Sequence, residues 1–140
     1  MLTKFSIILI IAAMLIEQSF SYGKNENYYT ELDELKKEID TGYYSFDIIK
    51  LKSILKKTID ITKISDGDWH PLYYSGVLCY VLGKIYYRIN KETAFNYFDK
   101  SLDYLLKAND KTKSPEILAL ISAAYGKKSA LSPVAAIYFG

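Results

Sequence analysis

Apolar residues recur at the spacing of one helical face in five consecutive stretches of the chain, separated by short polar segments. The first stretch predicts a helix over Thr30–Asp40. Thr30 and Asp33 resemble a capping box at its start, and Gly42 stands where the C-terminus of a helix favours glycine. Outside the N-terminal segment, no stretch alternates convincingly with period two, so the pattern predicts an all-α protein.

The second stretch follows a Gly-Tyr-Tyr turn, and Ser45 is placed to cap a helix that runs to about Ile64. Its apolar stripe comprises Ile48, Leu51, Leu55, Ile59 and Thr62. Lysines cover the remaining surface, at positions Lys50, Lys52, Lys56, Lys57 and Lys63. The interleaving favours a solvated face whose aliphatic stems cover the edge of the core, over a surface for acidic lipid or nucleic acid.

The third and fourth stretches form a central hairpin over Trp69–Ala108, two amphipathic helices folded about a polar turn at Asn90–Glu92. Pro71 suits the first turn of the first helix. The second helix is expected from about Thr93 to Ala108, with a polar loop over 109–113 after it. Its predicted buried residues are Ala94, Phe95, Phe98, Leu102 and Leu105.

The last stretch opens with Ser114, Pro115 and Glu116, which supply a capping oxygen, a fixed first φ angle and a carboxylate near the positive end of the helix dipole. The helix is expected to continue to about Leu131. Residues 132–140 then form an apolar C-terminal tail. Because the connections are short, consecutive helices should pack antiparallel.

The N-terminal segment, residues 1–21, has the organisation of a secretory signal peptide. Lys4 provides the positive start, Phe5–Ile16 is an almost uninterrupted apolar run, and Ser19–Ser21 supplies a small-x-small cleavage site. The run is shorter than the roughly 20 residues of a membrane span. We expect export to the periplasm or medium, cleavage near Ser21 and a flexible leader over 22–29, the alternative being an uncleaved anchor.

Composition adds limits on the chemistry. The chain has 140 residues, a length typical of one domain, and a net charge of +2 from interleaved charges, so no basic surface for nucleic acid stands out. Its single cysteine, Cys79, excludes an intramolecular disulfide and is expected to be a buried, inert thiol. The number of tyrosines, fourteen, is unusually high for this length. AT-rich codon usage explains such an excess, and the alternative is an aromatic binding surface.

Two stretches, 39 residues apart, carry large, large, small and aromatic residues in the same order. They are Cys79-x2-Leu82-Gly83-x2-Tyr86 and Leu118-x2-Ile121-Ser122-x2-Tyr125. Both resemble the first-helix signature of the tetratricopeptide repeat, W-x2-L-G-x2-Y, and Ala94-x3-Phe98 resembles its second-helix A-x3-F pattern. The chain departs from the family in having Cys79 at the usual tryptophan, a turn one residue short before Ala94, and a spacing longer than the usual 34 residues.

The resemblance implies antiparallel hairpins stacked over residues 30–131 as a short tetratricopeptide-like α-solenoid. It also implies a concave groove, lined by first helices, that grips a peptide or protein partner. The groove positions expected to bind are Tyr80, Lys84, Tyr87, Arg88, Ala119, Ala123 and Lys127. An aromatic and cationic wall beside small residues suits a carboxylate or an acidic side chain. The alternative is that Tyr80 and Tyr87 only pack between units and the cations are solvated.

No constellation for catalysis stands out, since there is no glycine-rich phosphate loop, no nucleophile elbow and no pair of carboxylates in a predicted pocket. The lone His70 lacks partners for a metal site, and with Trp69 it is expected to seal the edge of the core. We therefore expect no enzyme, metal or cofactor. The alternative function is a structural or oligomerising subunit of an envelope complex, which would self-associate through the apolar segment Val134–Gly140. Because a repeat array normally closes with a polar capping helix, this apolar ending also suggests that the array is truncated.

Overall fold

A computed structural model describes residues 26–65 and 67–132, and all regular structure in these residues is helical. The chain divides into two compact units, residues 1–34 and 35–140. The described helices are α1 (26–45), α2 (Ile48–Ile64), α3 (His70–Tyr86), α4 (Lys91–Thr112) and α5 (Pro115–Ala130). The predicted all-α class is thus confirmed. The proposed signal peptide and Val134–Gly140 lie outside the described residues.

The first helix begins earlier and ends later than the sequence pattern predicts. It already includes 26–29, and the Thr30 hydroxyl donates to the carbonyl of Glu26 at 3.0 Å, so Thr30 lies within the helix rather than capping it. Gly42 does not end the helix either. It is buried inside α1, where an added Cβ would stand 3.0 Å from Ile54 Cδ1, so this glycine permits α1 and α2 to approach closely.

A sharp corner joins α1 to α2, and its cap is Asp47 rather than the predicted Ser45. The Asp47 carboxylate accepts from the backbone N–H groups of Ile49 and Lys50 at 3.0 and 3.1 Å. The Ser45 hydroxyl instead donates to the carbonyl of Gly42 at 2.9 Å. Asp47 takes the position because α1 continues through Ser45, which leaves Asp47 as the extended residue directly before α2, where its carboxylate satisfies two of the free N–H groups.

Two glycines hold α3 and α4 close together as an antiparallel hairpin. A Cβ on Gly76 would lie 2.6 Å from Leu105 Cγ, and one on Gly83 would lie 2.7 Å from Phe98 Cε1. The buried Ser101 hydroxyl donates to the carbonyl of Gly76 at 2.8 Å. Because glycine has no side chain, these two positions of α3 leave room for the large side chains of Leu105 and Phe98 in α4.

The fourth helix is longer at both ends than the predicted Thr93–Ala108. It begins at Lys91 because the Asn90 side chain accepts from the Thr93 N–H at 2.9 Å. It runs to Thr112 and ends where Lys113 takes a left-handed conformation, so most of the predicted loop is helical. The predicted start of α5 is confirmed, with Ser114 as the cap and Pro115 in the first turn.

Consecutive helices pack mostly against one another, and one cluster of core residues lies where α4 and α5 meet. Its buried members are Leu102, Leu105, Ala108, Ile117, Ile121 and Ala124. Half-buried aromatic residues of α3 and its start cover this core, among them Trp69, Tyr73 and Tyr80. None of the helices in the described part of the chain is long and apolar enough to cross a membrane.

Candidate functional site

The predicted partner-binding residues lie on α3, on the turn directly after it and on α5. The structure places these two helices side by side and parallel. Near their N-terminal ends, the Glu116 carboxylate acts on Tyr73, whose pKa is raised chiefly by burial and also by this charge. Near their C-terminal ends, Lys127 Nζ lies 5.4 Å from the centre of the Tyr87 ring. The N-terminal end of α3 is thus close to the N-terminal end of α5, and the C-terminal ends are close to each other. The two helices therefore run in the same direction and present neighbouring faces.

Tyr87 and Lys127 are the predicted site residues that the structure brings together across helices. Within α3, Lys84 Nζ lies 5.9 Å from the centre of the Tyr80 ring. Both separations fall within the range of a cation–π contact, in which a cation is attracted to the face of an aromatic ring. Tyr80 and Tyr87 are thus each paired with a lysine.

Tyr80 also has a packing role. It is half-buried against the core of α4 and α5, and its ring centre lies 5.7 Å from that of Phe98. One edge of the ring therefore belongs to the interior. Ala119 and Ala123 are exposed on α5, two turns and one turn before Lys127, so all three occupy one helical face.

The charge on this surface is positive near the C-terminal ends of the two helices. Lys84, Arg88 and Lys127 are exposed, and none of them forms an ion pair with another residue in the described ranges. Cations in this position complement the negative end of each helix dipole. They also leave donors free for a carboxylate brought by a ligand.

A second aromatic and cationic cluster, which the sequence pattern did not indicate, joins α2 to the central hairpin. The rings of Tyr86 and Tyr97 stack with centres 5.5 Å apart. Lys52 Nζ lies 5.3 Å from the Tyr86 ring centre, and Lys100 Nζ lies 5.9 Å from that of Tyr97. A hydrogen bond with Tyr86 raises the pKa of Lys52, while burial raises the pKa of Tyr97. Finding this cluster requires the register between three helices, which no local pattern encodes.

Trp69, directly before α3, lies at the edge of the core. The Trp69 and His70 rings stack with centres 3.8 Å apart, and Trp69 packs against the core of α4 and α5. His70 Nδ1 lies 2.6 Å from the Asp68 carboxylate. Among the described residues, no group of three or more His, Cys, Asp and Glu side chains is arranged to hold a metal ion.

Cys79 is fully buried in α3, which confirms its predicted placement. Burial raises the pKa of the thiol to about 12, and the nearby Lys100 charge opposes this shift only in part. A thiol with this pKa remains protonated at neutral pH, so it lacks the thiolate that nucleophilic chemistry requires.

The fold and this surface together describe an all-α protein in which two parallel helices present an aromatic and cationic face. Comparison with protein-family models, curated proteins and solved structures yields no significant match.

Proposed function

We propose that the chain is an exported, non-enzymatic scaffold of the tetratricopeptide-like kind, which binds an acidic peptide segment of a partner along the neighbouring faces of α3 and α5. The contact between Tyr87 and Lys127 carries this proposal, because it joins the two faces into one surface. Export rests on the sequence of residues 1–21, whose charged start, apolar run and cleavage site are described above.

The packing of the hairpin supports the repeat-like part of the proposal. In the tetratricopeptide signature a small residue in the first helix admits a large one from the second, and Gly83 and Phe98 have this relationship. The parallel arrangement of α3 and α5, with α4 antiparallel to both, is the relation that the first helices of successive repeats would have.

The second copy of the signature occupies a different environment in the described residues. Cys79 and Gly83 are buried by α4, whereas Leu118 and Ser122, their counterparts in α5, are exposed. The structure identifies no repeat among these residues. A single hairpin followed by a further first helix is the arrangement that we propose.

The chemistry of the surface supports an acidic ligand. Lys84, Arg88 and Lys127 offer charge-assisted hydrogen bonds, and the guanidinium group can bind a carboxylate with two parallel N–H donors. Half-buried Tyr87 adds a rigid ring against which an extended peptide can pack.

Fluorescence anisotropy with short labelled peptides tests the proposal. One peptide pool is rich in Asp and Glu, and a matched pool carries Asn and Gln at the same positions. We expect the acidic pool to bind more tightly, and Arg88→Glu to weaken its binding by at least about tenfold, since a charge-assisted bond is lost and repulsion is added. Tyr87→Ala should also weaken binding, with Tyr87→Phe close to the parent.

Lys107→Glu is the matched control, because Lys107 is an exposed cation on α4 and not on the proposed surface. Equal affinity of the parent, Arg88→Glu and Lys107→Glu chains for the acidic pool would contradict the proposal. Affinity capture from the native exported fraction, followed by mass spectrometry, would then identify the natural partner.

An exposed apolar face of α5 favours a second candidate, a structural subunit that self-associates. Leu118 and Tyr125 are each 49% exposed, although both are large. Such residues on one helical face are typical of an interface between chains. This candidate predicts that the molecular mass in solution rises with protein concentration. It also predicts that the double variant Leu118→Ser, Tyr125→Ser returns the mass to the monomer value. Both results together would favour self-association over a monomeric peptide binder.

A further inference from the structure

The corner between α1 and α2 exposes three large apolar side chains. Tyr44 is 79% exposed, Phe46 is 68% exposed and Ile49 is 82% exposed. They lie within six consecutive residues, at the tip of a turn and the first helical turn after it. Single exposed apolar residues are ordinary, but a contiguous group of this size points to a surface that is covered in function.

The backbone at the tip is held in an unfavourable conformation that keeps Phe46 outward. Its φ angle is 52°, in the left-handed region that bulky residues rarely adopt. Hydrogen bonds on both sides maintain this conformation, since Ser45 bonds back to Gly42 and Asp47 caps α2. Strain that neighbouring bonds enforce is typical of functional positions.

A second apolar tip lies at the same end of the helical bundle. Lys52 Nζ, near the start of α2, lies 5.3 Å from the centre of the Tyr86 ring at the end of α3, so the turn between α3 and α4 is at the same end of these helices as the corner between α1 and α2. That second turn exposes Ile89 by 64%. We refer to Tyr44, Phe46, Ile49 and Ile89 as the apolar end.

Positive charge surrounds the apolar end. Lys50, Arg88 and Lys91 are exposed there. The carboxylates nearby include Asp47 and Glu92, which stand at the N-termini of α2 and α4, where the helix dipoles and free N–H groups compensate their charge. Asp40, exposed one turn before Tyr44 in α1, is outnumbered by the three cations. The balance at this end therefore favours an anionic surface.

We propose that the apolar end docks onto the surface of a lipid bilayer that contains anionic headgroups. Phe46 and Ile49 would enter the boundary between headgroups and acyl chains, Tyr44 would lie at headgroup level, and the surrounding cations would contact phosphates. The site stands on protruding turns rather than in a groove, which suits a deformable, flat surface better than a folded protein ligand. The inference does not depend on the proposed peptide surface.

Phe46→Trp in the full chain provides a local probe, since the chain has one other tryptophan, Trp69, at the opposite end of α3. The probe is mixed with vesicles of phosphatidylcholine alone or with phosphatidylglycerol added, both containing acyl chains brominated near the headgroup. We expect the anionic vesicles to quench this tryptophan and shift its emission to the blue. Ile64→Trp, at the other end of α2 and 58% exposed in the parent, should show no quenching above that of Trp69.

Charge reversal tests the electrostatic part. Lys50→Glu with Lys91→Glu, introduced together into the Phe46→Trp chain, should lower partition into anionic vesicles by at least about tenfold, because each cation near such a surface contributes roughly fivefold. Lys107→Glu is the matched control and should leave partition unchanged.

Three results would overturn the proposal. The first is equal quenching of the Phe46→Trp and Ile64→Trp chains. The second is no quenching by anionic vesicles at all. The third is a blue shift of the Phe46→Trp chain that grows with protein concentration without vesicles, which would assign the apolar end to self-association.

Phe46→Asn distinguishes lost docking from lost folding. Asparagine tolerates the left-handed conformation better than phenylalanine, so this variant should keep or raise the thermal stability of the fold while reducing vesicle partition. Undiminished partition of a Phe46→Asn, Ile49→Ser chain would count against the proposal.

Discussion

Gly83 of α3 lies directly against the ring of Phe98 in α4, so closely that a Cβ on the glycine would stand 2.7 Å from Cε1 and 2.8 Å from Cδ1. Phe98 is fully buried and cannot swing into solvent to make room. The contact therefore sets the distance between the two helices of the central hairpin.

Gly83→Ala should destabilise the fold. The added methyl group overpacks a buried ring, which costs about 1–3 kcal/mol, and the better helix propensity of alanine recovers at most about 1 kcal/mol. The free energy of unfolding, measured by urea denaturation, should fall. Gly126→Ala is the control, because nothing lies within 4 Å of a Cβ there, and it should raise stability slightly. Equal effects at both glycines would show that Phe98 yields readily.

Ser101→Ala should cost about 0.5–1.5 kcal/mol, because it removes the buried bond in which the hydroxyl donates to the Gly76 carbonyl at 2.8 Å, while that carbonyl keeps its bond within α3. The matched change is Ser122→Ala, whose exposed hydroxyl bonds to the Leu118 carbonyl one turn earlier in its own helix. That variant should be neutral or slightly more stable, since water can replace the bond. Thermal unfolding followed by circular dichroism compares the two.

Asn90→Ala should destabilise the protein by about 0.5–2 kcal/mol, since it removes the side-chain oxygen that caps α4 through the Thr93 N–H. Asn90→Asp keeps an acceptor and adds a favourable charge near the positive end of the helix dipole, so its stability should stay close to that of the parent. Urea denaturation measures the difference in stability between the two variants, as a shift in the midpoint with no change in the m-value. A similar loss in both variants would show that the amide nitrogen, and not the cap, matters.

Cys79 should make stability fall with rising pH in the alkaline range. Burial raises the pKa of its thiol from 9.0 to about 12. Above pH 9 the unfolded thiol loses its proton while the folded one keeps it, so the unfolded state binds fewer protons and gains stability. Each pH unit in this window should lower the free energy of unfolding by up to about 1.4 kcal/mol.

Cys79→Ala isolates this effect. The variant loses packing at every pH, but its stability should decline less steeply above pH 9, so the two curves converge. Parallel curves would mean that the thiol does not couple to folding. The same burial predicts that a thiol reagent modifies Cys79 only as fast as the chain unfolds.

Local chemistry accounts for the elements that were predicted well. Ser114 and Pro115 determine the start of α5 through a cap bond and a fixed backbone angle, and both act within a few residues. Gly42 shows the limit of such reasoning. Glycine is favoured both at helix ends and where two helices meet closely, and the position of Ile54 decides between these uses.

The candidate surface divides in the same way. Spacing alone places Ala119, Ala123 and Lys127 on one face of α5, because residues four apart are neighbours on any α-helix. That Lys127 meets Tyr87 depends on how α5 lies against α3, which follows from packing of the shared core. Similarly, Leu118 and Cys79 have equivalent positions in the two signatures but opposite exposure.

The sequence by itself determined the helical class, the order of the helices along the chain, the cap of α5 and the buried state of Cys79, because periodicity and capping act over a few residues. Tertiary structure alone decided that Gly76 and Gly83 admit Leu105 and Phe98, that Lys127 meets Tyr87, and that Phe46 and Ile89 are exposed at the same end of the helices. These features depend on which helix faces cover one another. That choice is made by the packing of the whole core, to which distant residues contribute together.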